Sequence, residues 1–252
     1  MRILFVNDKR GYFGGVEQCV ADSSRGLAAR GHSCYLAYRN RTGRAEPDFD
    51  RGFASVQSTA ADATGEAPVS LETLVQRLRP DLVYVHKVEA IAPVLEAAGH
   101  VPVLRMVHDH DLTCPRRHKY DAYSGRTCQR AASLGSLADL AFLERSPASP
   151  LGFAFVNVAE RLRELARHRA GLRLLVASRY MRAELIRNGC EPAHVRVLPP
   201  CVEVRAASWS PPPRDPRLLY IGQLVRGKGV DLLLRAVSSL GASYQLDVVG
   251  TG

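Results

Sequence analysis

The sequence predicts an α/β protein built on a doubly wound parallel sheet, with a second and incomplete unit of the same kind at its end. The first observation is a repeated alternation of short apolar runs with segments whose apolar residues recur at helical spacing. The second is the segment 217–252, for which one strand, one helix and one further strand are predicted. One strand–helix–strand unit cannot cover both faces of its sheet. We therefore predict one complete domain and the beginning of another.

The first half of the chain alternates predicted strands and helices. Four apolar runs are typical of buried strands: Arg2–Asn7, Ser33–Tyr38, Asp81–His86 and Pro102–His108. Apolar residues recur at helical spacing over Val16–Leu27 and Leu71–Leu78, and a shorter helix is predicted over Glu89–Ala98. Gly31 follows the first helix and Pro80 the second, as expected where helices end. Strands separated by helices predict a parallel sheet with helices on both faces.

Residues 113–150 break this rhythm with prolines, arginines, glycines and two cysteines, and we interpret them as an insertion. Regular structure then returns as a basic helix (Val158–His168), a strand (Leu172–Ala177), a helix from the N-cap Ser178 to Gly189, and a strand (Val195–Leu198). Prolines at 199–200 and 211–213 are typical of a stiff linker. The sequence therefore predicts a Rossmann-like domain over 1–200, a linker over 201–216 and an incomplete Rossmann-like unit over 217–252.

Composition limits the class of protein. The 252 residues are 46% hydrophobic, enough for a buried core, and no segment reaches the roughly 18 apolar residues of a membrane span. Asp8 follows the first apolar run too soon for a signal peptide, so we expect a cytoplasmic protein with reduced cysteines. The net charge of +9 suits nucleic acid, an anionic membrane surface or phosphorylated ligands. Nucleic acid is disfavoured because no basic cluster is interleaved with aromatic residues.

A glycine-rich turn follows the first predicted strand. Gly14 and Gly15 precede a helix, where glycines let an anion approach the free N–H groups of the first turn. An ordinary tight turn explains these residues equally well, because their spacing matches neither the dinucleotide fingerprint nor the P-loop. Glu17 lies in the first helical turn, where it either contacts a ligand or complements the helix dipole.

Histidines follow two neighbouring predicted strands. His108 and Asp109 come directly after the fourth strand, and His86 ends the third. Ligands of open parallel sheets bind beyond the carboxyl ends of the strands, so we expect a ligand near these residues. There His108 would hydrogen-bond a substrate hydroxyl or a developing charge. A histidine that only caps a loop is the alternative.

The insertion contains potential metal ligands. Cys114, His118 and Cys128, with His108 or His110, would supply four zinc ligands, although their spacing resembles no paired cysteine knuckle. We therefore expect no metal cofactor and keep a structural or regulatory zinc site as an alternative.

Two basic segments allow two interpretations each. The run Arg116–Lys119 either meets an anionic substrate or lipid headgroup or forms a solvated basic surface, and the second is favoured. The basic helix around 161–169 either touches an anionic membrane or packs against the domain.

Arg226 and Lys228 are a stronger signal. They lie in the turn after the first strand of the second strand–helix–strand unit. Two cations in such a turn neutralise a diphosphate, so we predict that these residues bind one.

Several segments, taken in order, resemble family 4 glycosyltransferases. They are Gly14-Gly15-x-Glu17, His108 after a central strand, Ser178–Gly189, Val195–Pro200, and Gly222-x5-Lys228-Gly229 with the later Val249-Gly250. The resemblance spans the whole chain. It implies the two-domain GT-B fold, a nucleotide-diphosphate sugar as donor, a glycan, lipid or small-molecule acceptor, retention of the anomeric configuration and no metal. Cell-envelope polysaccharide synthesis at the inner face of the membrane would be the setting.

The same resemblance implies roles for single residues. Gly14 and Gly15 would offer N–H groups to the donor phosphates, and Lys228 would bind the departing diphosphate. His108 would contact the donor sugar near the reacting carbon, with Glu17, Asp109 and His86 in the vicinity of the sugar or acceptor. Glycosyl transfer develops positive charge on the ring and negative charge on the diphosphate, so fixed donors and cations lower the barrier.

Two features depart from the family pattern. Gln223 stands where an Arg usually lies five residues before the Lys, which leaves Arg226 as its substitute. The family's paired glutamates would lie beyond Gly252, so we expect residues 1–252 to be catalytically weak and Arg217–Gly252 to be poorly protected from exchange. A non-catalytic glycan- or partner-binding module is the alternative function.

Overall fold

The computed structural model describes residues 1–61, 67–120, 126–145, 149–201, 217–240 and 244–251, without the side chains of Glu144, Arg145 and Arg226. The chain divides into two compact units, Met1–Glu203 and Val204–Gly252, and each is described by itself. The predicted linker 201–216 lies, apart from Cys201, outside the described residues.

The strands of the described residues are β1 (Arg2–Val6), β2 (Lys9–Arg10), β3 (Ser33–Tyr38), β4 (Asn40–Arg41), β5 (Ser55–Ser58), β6 (Leu82–Val85), β7 (Val103–Val107), β8 (Leu143–Arg145), β9 (Phe153–Phe155), β10 (Arg173–Val176), β11 (Val195–Val197), β12 (Arg217–Ile221) and β13 (Gln245–Val249). The helices are α1 (Gly15–Ala28), α2 (Glu46–Phe49), α3 (Leu71–Leu78), α4 (Ala92–Ala98), α5 (Val158–Arg169), α6 (Arg179–Arg187) and α7 (Val230–Ser239). Short 3-10 helices include Asp50–Gly52, His110–Leu112, Leu134–Asp139 and Arg226–Lys228.

Seven parallel strands form the central sheet in the order β11-β10-β7-β6-β1-β3-β5. The chain builds β1, β3 and β5 outward to one side, then returns to the other side of β1 and builds β6, β7, β10 and β11. The strand order therefore reverses between β1 and β6, which is the arrangement of a doubly wound sheet. The predicted Rossmann-like fold class is confirmed.

Both faces of the sheet are covered, because successive strand residues point to opposite sides. On one face, Leu4 and Val6 of β1 belong to a cluster that includes buried residues of α3, α4, α5 and α6. On the other face, Ile3 and Phe5 belong to a cluster with Val20 and other residues of α1 and α2. The alternation along β1 thus assigns α1 and the later helices to different layers.

Two parts of the first unit differ from the sequence-based expectation. The edge strand β5 was not predicted, because its sequence Ser-Val-Gln-Ser has one strongly apolar residue and pairs on one side only, with β3. The insertion is not irregular throughout, since its Leu143–Arg145 pairs as an antiparallel strand with Phe153–Phe155, which follows it.

The insertion is attached to α6 by buried polar contacts. Lys119 Nζ lies 3.0 Å from Glu184 Oε2, although without hydrogen-bond geometry, and donates a hydrogen bond of 2.5 Å to the carbonyl of Arg130. Arg116 is also buried and donates to the carbonyl of Tyr120 at 2.7 Å. The favoured interpretation of the basic run as a solvated surface is therefore wrong for Arg116 and Lys119. Their charged groups make buried contacts that stabilise the folded loop.

The second unit contains a parallel pair, β12 and β13, connected through α7. The two strands end in a close backbone approach: a Cβ at position 250 would lie 1.8 Å from the carbonyl oxygen of Gly222, so only glycine fits there. Large apolar side chains on both strands and on α7 are exposed in this unit, among them Leu219, Ile221, Leu232, Leu234 and Val249.

We predict fast amide exchange in the second unit. Little apolar surface is buried there, so β12, β13 and α7 should open locally at low free-energy cost. Hydrogen–deuterium exchange should show weaker protection over 217–240 and 244–251 than in β1 and β6. Equal protection of both units would contradict this prediction.

We also predict that Gly52→Ala destabilises the first unit. A Cβ at this position would lie 2.6 Å from the backbone nitrogen of Arg25 and 2.8 Å from the carbonyl carbon of Ser24, so α1 would have to shift. The expected cost is about 1–3 kcal/mol in the free energy of urea unfolding. Gly26→Ala in α1 is the matched control: its Cβ would meet only Arg30 Nη1 at 3.6 Å, and stability should rise by about 0.5–1 kcal/mol. A neutral Gly52→Ala variant would refute the close packing.

Candidate functional site

The candidate site lies where β1 and β6 end, at the point where the strand order reverses. Asn7 is buried and connects the two strand ends: its Oδ1 accepts a hydrogen bond from the Lys87 N–H at 3.0 Å, and its Nδ2 donates to the Lys9 carbonyl at 2.8 Å. The Asp8 N–H donates to the Lys87 carbonyl at 2.7 Å. These bonds fix the backbone on which the polar side chains of the site stand.

Two predicted residues, His86 and His108, contact each other. His86 Nδ1 lies 3.0 Å from His108 Nε2. His86 is buried among the rings of Phe5 and Tyr84, with centroid distances of 5.6 and 4.3 Å. Burial lowers the pKa of His108 to about 4 and that of His86 well below its ordinary value. Both imidazoles are therefore neutral at pH 7.

A partly buried ionic network lies beside the histidine pair. Lys87 Nζ contacts Asp109 Oδ2 at 2.6 Å and Asp111 Oδ2 at 3.1 Å, and Arg105 Nη2 contacts the same Asp111 oxygen at 3.0 Å. Burial alone would raise the pKa of Asp111, but Arg105 and Lys87 outweigh it and hold that pKa at about 2. The Asp109 carboxylate is thus engaged in an ion pair with Lys87.

Arg105 also contacts α5. Its Nη1 lies 2.6 Å from His168 Nε2, and His168 Nδ1 lies 2.6 Å from the Glu164 carbonyl. A carbonyl only accepts, so His168 carries its proton on Nδ1 and accepts from Arg105 at Nε2. Burial, with the Arg105 charge, lowers the pKa of His168 to about 4. The guanidinium thereby ties β7 to α5.

Two cavities open at this edge of the sheet. One has a volume of about 420 Å³ and the other about 210 Å³, and they share the lining residues Asp8, Val88, Glu89, Arg161 and Glu164. Asp8 is half-buried, its pKa is raised by burial, and its carboxylate makes no hydrogen bond or ion pair with the described residues. A carboxylate in this condition can accept hydrogen bonds from a ligand.

The glycine turn exposes the N-terminus of α1. Gly14 and Gly15 are exposed, and a Cβ at Gly15 would meet nothing within 4 Å, so the fold leaves this space open. Glu17 is buried, and its Oε2 accepts a hydrogen bond from the Gly14 N–H at 3.0 Å. The structure therefore places Glu17 as a cap of α1, and the N–H groups of Gly15 and the next residues remain available for an anion.

The diphosphate candidates lie in the second unit. Lys228 is exposed, and no ion pair involves it among the residues that the structure describes. It ends the 3-10 helix Arg226–Lys228, and Gly229 follows with φ +69° before α7 begins. The structure does not describe the side chain of Arg226.

Within the described ranges, one group of His, Cys, Asp and Glu side chains has ligand atoms within 4.8 Å of one another, and it consists of Cys19, His86 and His108. The zinc candidates Cys114, His118 and Cys128 form no such group. Cys114 Sγ instead donates to the His118 carbonyl at 2.7 Å. All six cysteines are free thiols.

Several residues of the site escaped the sequence analysis. Arg105 lies within an apolar strand and His168 within a basic helix, so neither stands out without the tertiary contact between them. Lys87 adjoins the predicted His86, and Asp8 follows the predicted first strand. Their place after β1 and β6 was the available signal.

Comparison with known proteins identifies the family. The sequence model of Glycosyltransferase Family 4 matches residues 13–206. The chain belongs to this family. The family resemblance predicted from the sequence is thereby confirmed.

Solved structures share the fold of this family 4 chain. It is similar to Anabaena HepE in complex with UDP-glucose (15% identity, TM-score 0.65, 100% of this chain and 61% of HepE). It is also similar to a glycosyltransferase from Rickettsia africae (14%, 0.59, 99% and 60%) and to sucrose-phosphate synthase from Thermosynechococcus elongatus (15%, 0.59, 99% and 62%). At such identities the similarity concerns the fold alone. The chain spans 60–62% of the length of each of these proteins.

Curated protein sequences gave no match to the chain. Among the described residues, no helix combines the length and apolar character needed to cross a membrane.

We predict that the first unit loses stability as pH falls from about 6.5 to about 4. His86, His108 and His168 have pKa values below the ordinary 6.5, so the unfolded chain binds more protons than the folded protein in this window. Each histidine should contribute up to about 1.4 kcal/mol per pH unit. Urea unfolding at a series of pH values measures the slope.

The His108→Gln variant should have a clearly smaller slope, and His100→Gln, at an exposed position, should not. If His108→Gln leaves the slope unchanged, His108 is not a neutral buried group in the folded state.

Proposed function

We propose that this family 4 chain takes part in transfer of a sugar from a nucleotide-diphosphate sugar to an acceptor hydroxyl, with retention and without a metal. The observation that carries the proposal is the family match over 13–206, a range that includes a neutral His108 directly after β7, the neighbour of β6 in the sheet. The similarity to HepE, whose structure was solved with UDP-glucose, supports a nucleotide sugar as the donor.

The donor phosphates would bind the N-terminus of α1. The exposed turn at Gly14 and Gly15 leaves room for an anion, and the N–H groups of the first turn supply hydrogen bonds with the helix dipole behind them. Lys228, with Arg226, would neutralise the diphosphate as it leaves. His108 would face the sugar as an uncharged hydrogen-bonding group, which avoids repelling the positive charge that develops on the ring.

The acceptor would occupy the cavity of about 420 Å³. Its lining combines the unpartnered Asp8 carboxylate with apolar side chains such as Val88, Pro93 and Val94. A hydroxyl that attacks a sugar must be held by an acceptor group, and Asp8 is suited to that task. Glycans and glycolipids both offer hydroxyls together with apolar surface.

We also propose a cytoplasmic protein that contacts anionic membranes peripherally. Phe153 and Phe155 are exposed just before α5, and Arg163 on that helix is exposed as well, although it pairs with Glu160 at 2.9 Å. Exposed aromatic and basic residues together are typical of surfaces that meet a bilayer interface.

The test is sugar transfer by the purified protein with UDP-, GDP- and ADP-sugars and a panel of glycan and glycolipid acceptors. Release of the nucleoside diphosphate should depend on the acceptor. His108→Ala and Lys228→Met should each lower turnover by about 10²-fold, because each removes a group that acts on the developing charge. Arg235→Met, also an exposed cation of the second unit, is the control and should retain activity.

Chelators should leave turnover unchanged. Turnover by residues 1–252 is expected to be low, so the assay must detect single turnovers. Binding of glycans without even a single-turnover transfer or donor hydrolysis would reject the catalytic proposal and favour a binding module.

A further inference from the structure

The His86–His108 contact contains a single proton. The ring centroids are 5.3 Å apart. This nearly equals the 3.0 Å between the two nitrogens plus the distance from each nitrogen to its own ring centre, so the two nitrogens lie on the line between the rings. The ring planes are inclined by only 24°. The rings therefore meet edge to edge, with Nδ1 of His86 and Nε2 of His108 pointing at each other. One nitrogen donates and the other accepts, because both imidazoles are neutral.

The far side of His86 decides which nitrogen donates. His86 Nε2 is buried and has no hydrogen-bond partner among the described residues. If His108 donated, His86 would carry its own proton on Nε2, and an N–H would be buried without an acceptor. Orphaned buried N–H groups are rare and cost about 1–3 kcal/mol. If His86 donates from Nδ1, Nε2 is a bare acceptor nitrogen, and a buried acceptor without a partner is tolerated more often than a buried N–H without one.

We propose that His86 is a positioning residue that holds His108 in the Nδ1–H tautomer. His86 Nδ1–H donates to His108 Nε2, so the proton of His108 is on Nδ1. That nitrogen has no partner in the described part of the chain, and the ring is only partly buried. His108 therefore presents a hydrogen-bond donor, and not a bare nitrogen, to whatever ligand lies beyond β7.

The consequence for the ligand rests on the proposed function. A donor-only N–H selects an oxygen lone pair, such as that of a phosphate or of a sugar hydroxyl that donates its own hydrogen elsewhere. Burial is the main reason that the pair stays neutral, since it lowers the pKa of both histidines. At His108 burial outweighs Asp109 and Asp111, which favour a second proton, and Lys87 and Arg105 act in the same direction as burial.

The tautomers can be read directly by long-range ¹H–¹⁵N correlation spectra of the histidine rings at pH 7. Both His86 and His108 should appear as Nδ1–H. In His86→Asn, the amide N–H₂ stands near the former Nδ1 and can still donate, so His108 should remain Nδ1–H. In His86→Phe, nothing donates to His108 Nε2, and the Nε2–H form of His108 should rise from undetected to a substantial fraction.

The His86→Phe variant should fold, because the rings of Phe5 and Tyr84 already pack around this position. If His86→Phe does not fold, His86→Leu is measured in its place. A wild-type His108 in the Nε2–H form, or a His108 tautomer unchanged in both apolar variants, would overturn the proposal. The spectra need no activity, so they decide the tautomer even if sugar transfer is never observed.

Where transfer is measured, turnover should fall at least about tenfold in His86→Phe and recover to within about threefold of wild type in His86→Asn, since a misplaced proton removes the donor at the reacting centre. An equal loss in both variants would show that His86 acts through packing alone and would also overturn the proposal.

Discussion

The site depends on the reversal of strand order between β1 and β6. At that point no helix crosses from one strand to the next, so the carboxyl ends of the two strands leave an open edge. The side-chain amide of Asn7 connects the two strand ends there, through hydrogen bonds to the backbone of Lys87 and Lys9. His86, the Asp8 carboxylate and the cavities lie at that junction, and His108 follows the neighbouring strand β7.

Charge is handled differently on the two sides of the junction. Next to β7, Arg105 is almost fully buried and is balanced by Asp111 and by the neutral His168. Breaking such a network leaves an unpaired charge in a medium of low dielectric constant, which is far more costly than loss of a surface pair. At Asp8 the carboxylate forms no ion pair with the residues that the structure describes, although Arg39 and Lys87 act on it at longer range. The carboxylate is therefore left available to a ligand in the cavity.

Much of this architecture could be predicted from the sequence. The alternation of apolar runs and helical spacing gave the strands of the central sheet, apart from the polar edge strand β5, and the boundaries of most helices. The location rule for parallel sheets pointed to His86 and His108. The sequence could not show that these two rings touch, because their contact depends on the register of β6 and β7, nor that Glu17 turns back to cap α1. The prediction that Arg116–Lys119 forms a solvated surface was wrong for a related reason: Arg116 and Lys119 contact buried partners that no local sequence pattern reveals.

The anchoring of the insertion to α6 limits how this loop can vary. Glu184 is buried under Lys119, and its other oxygen is engaged by Arg187. A shortened chain that loses Lys119 would leave part of that carboxylate without a counter-charge inside the domain. Trimming the loop would therefore be less costly with a neutral residue at position 184, and relatives with a shorter loop should tend to carry both changes together.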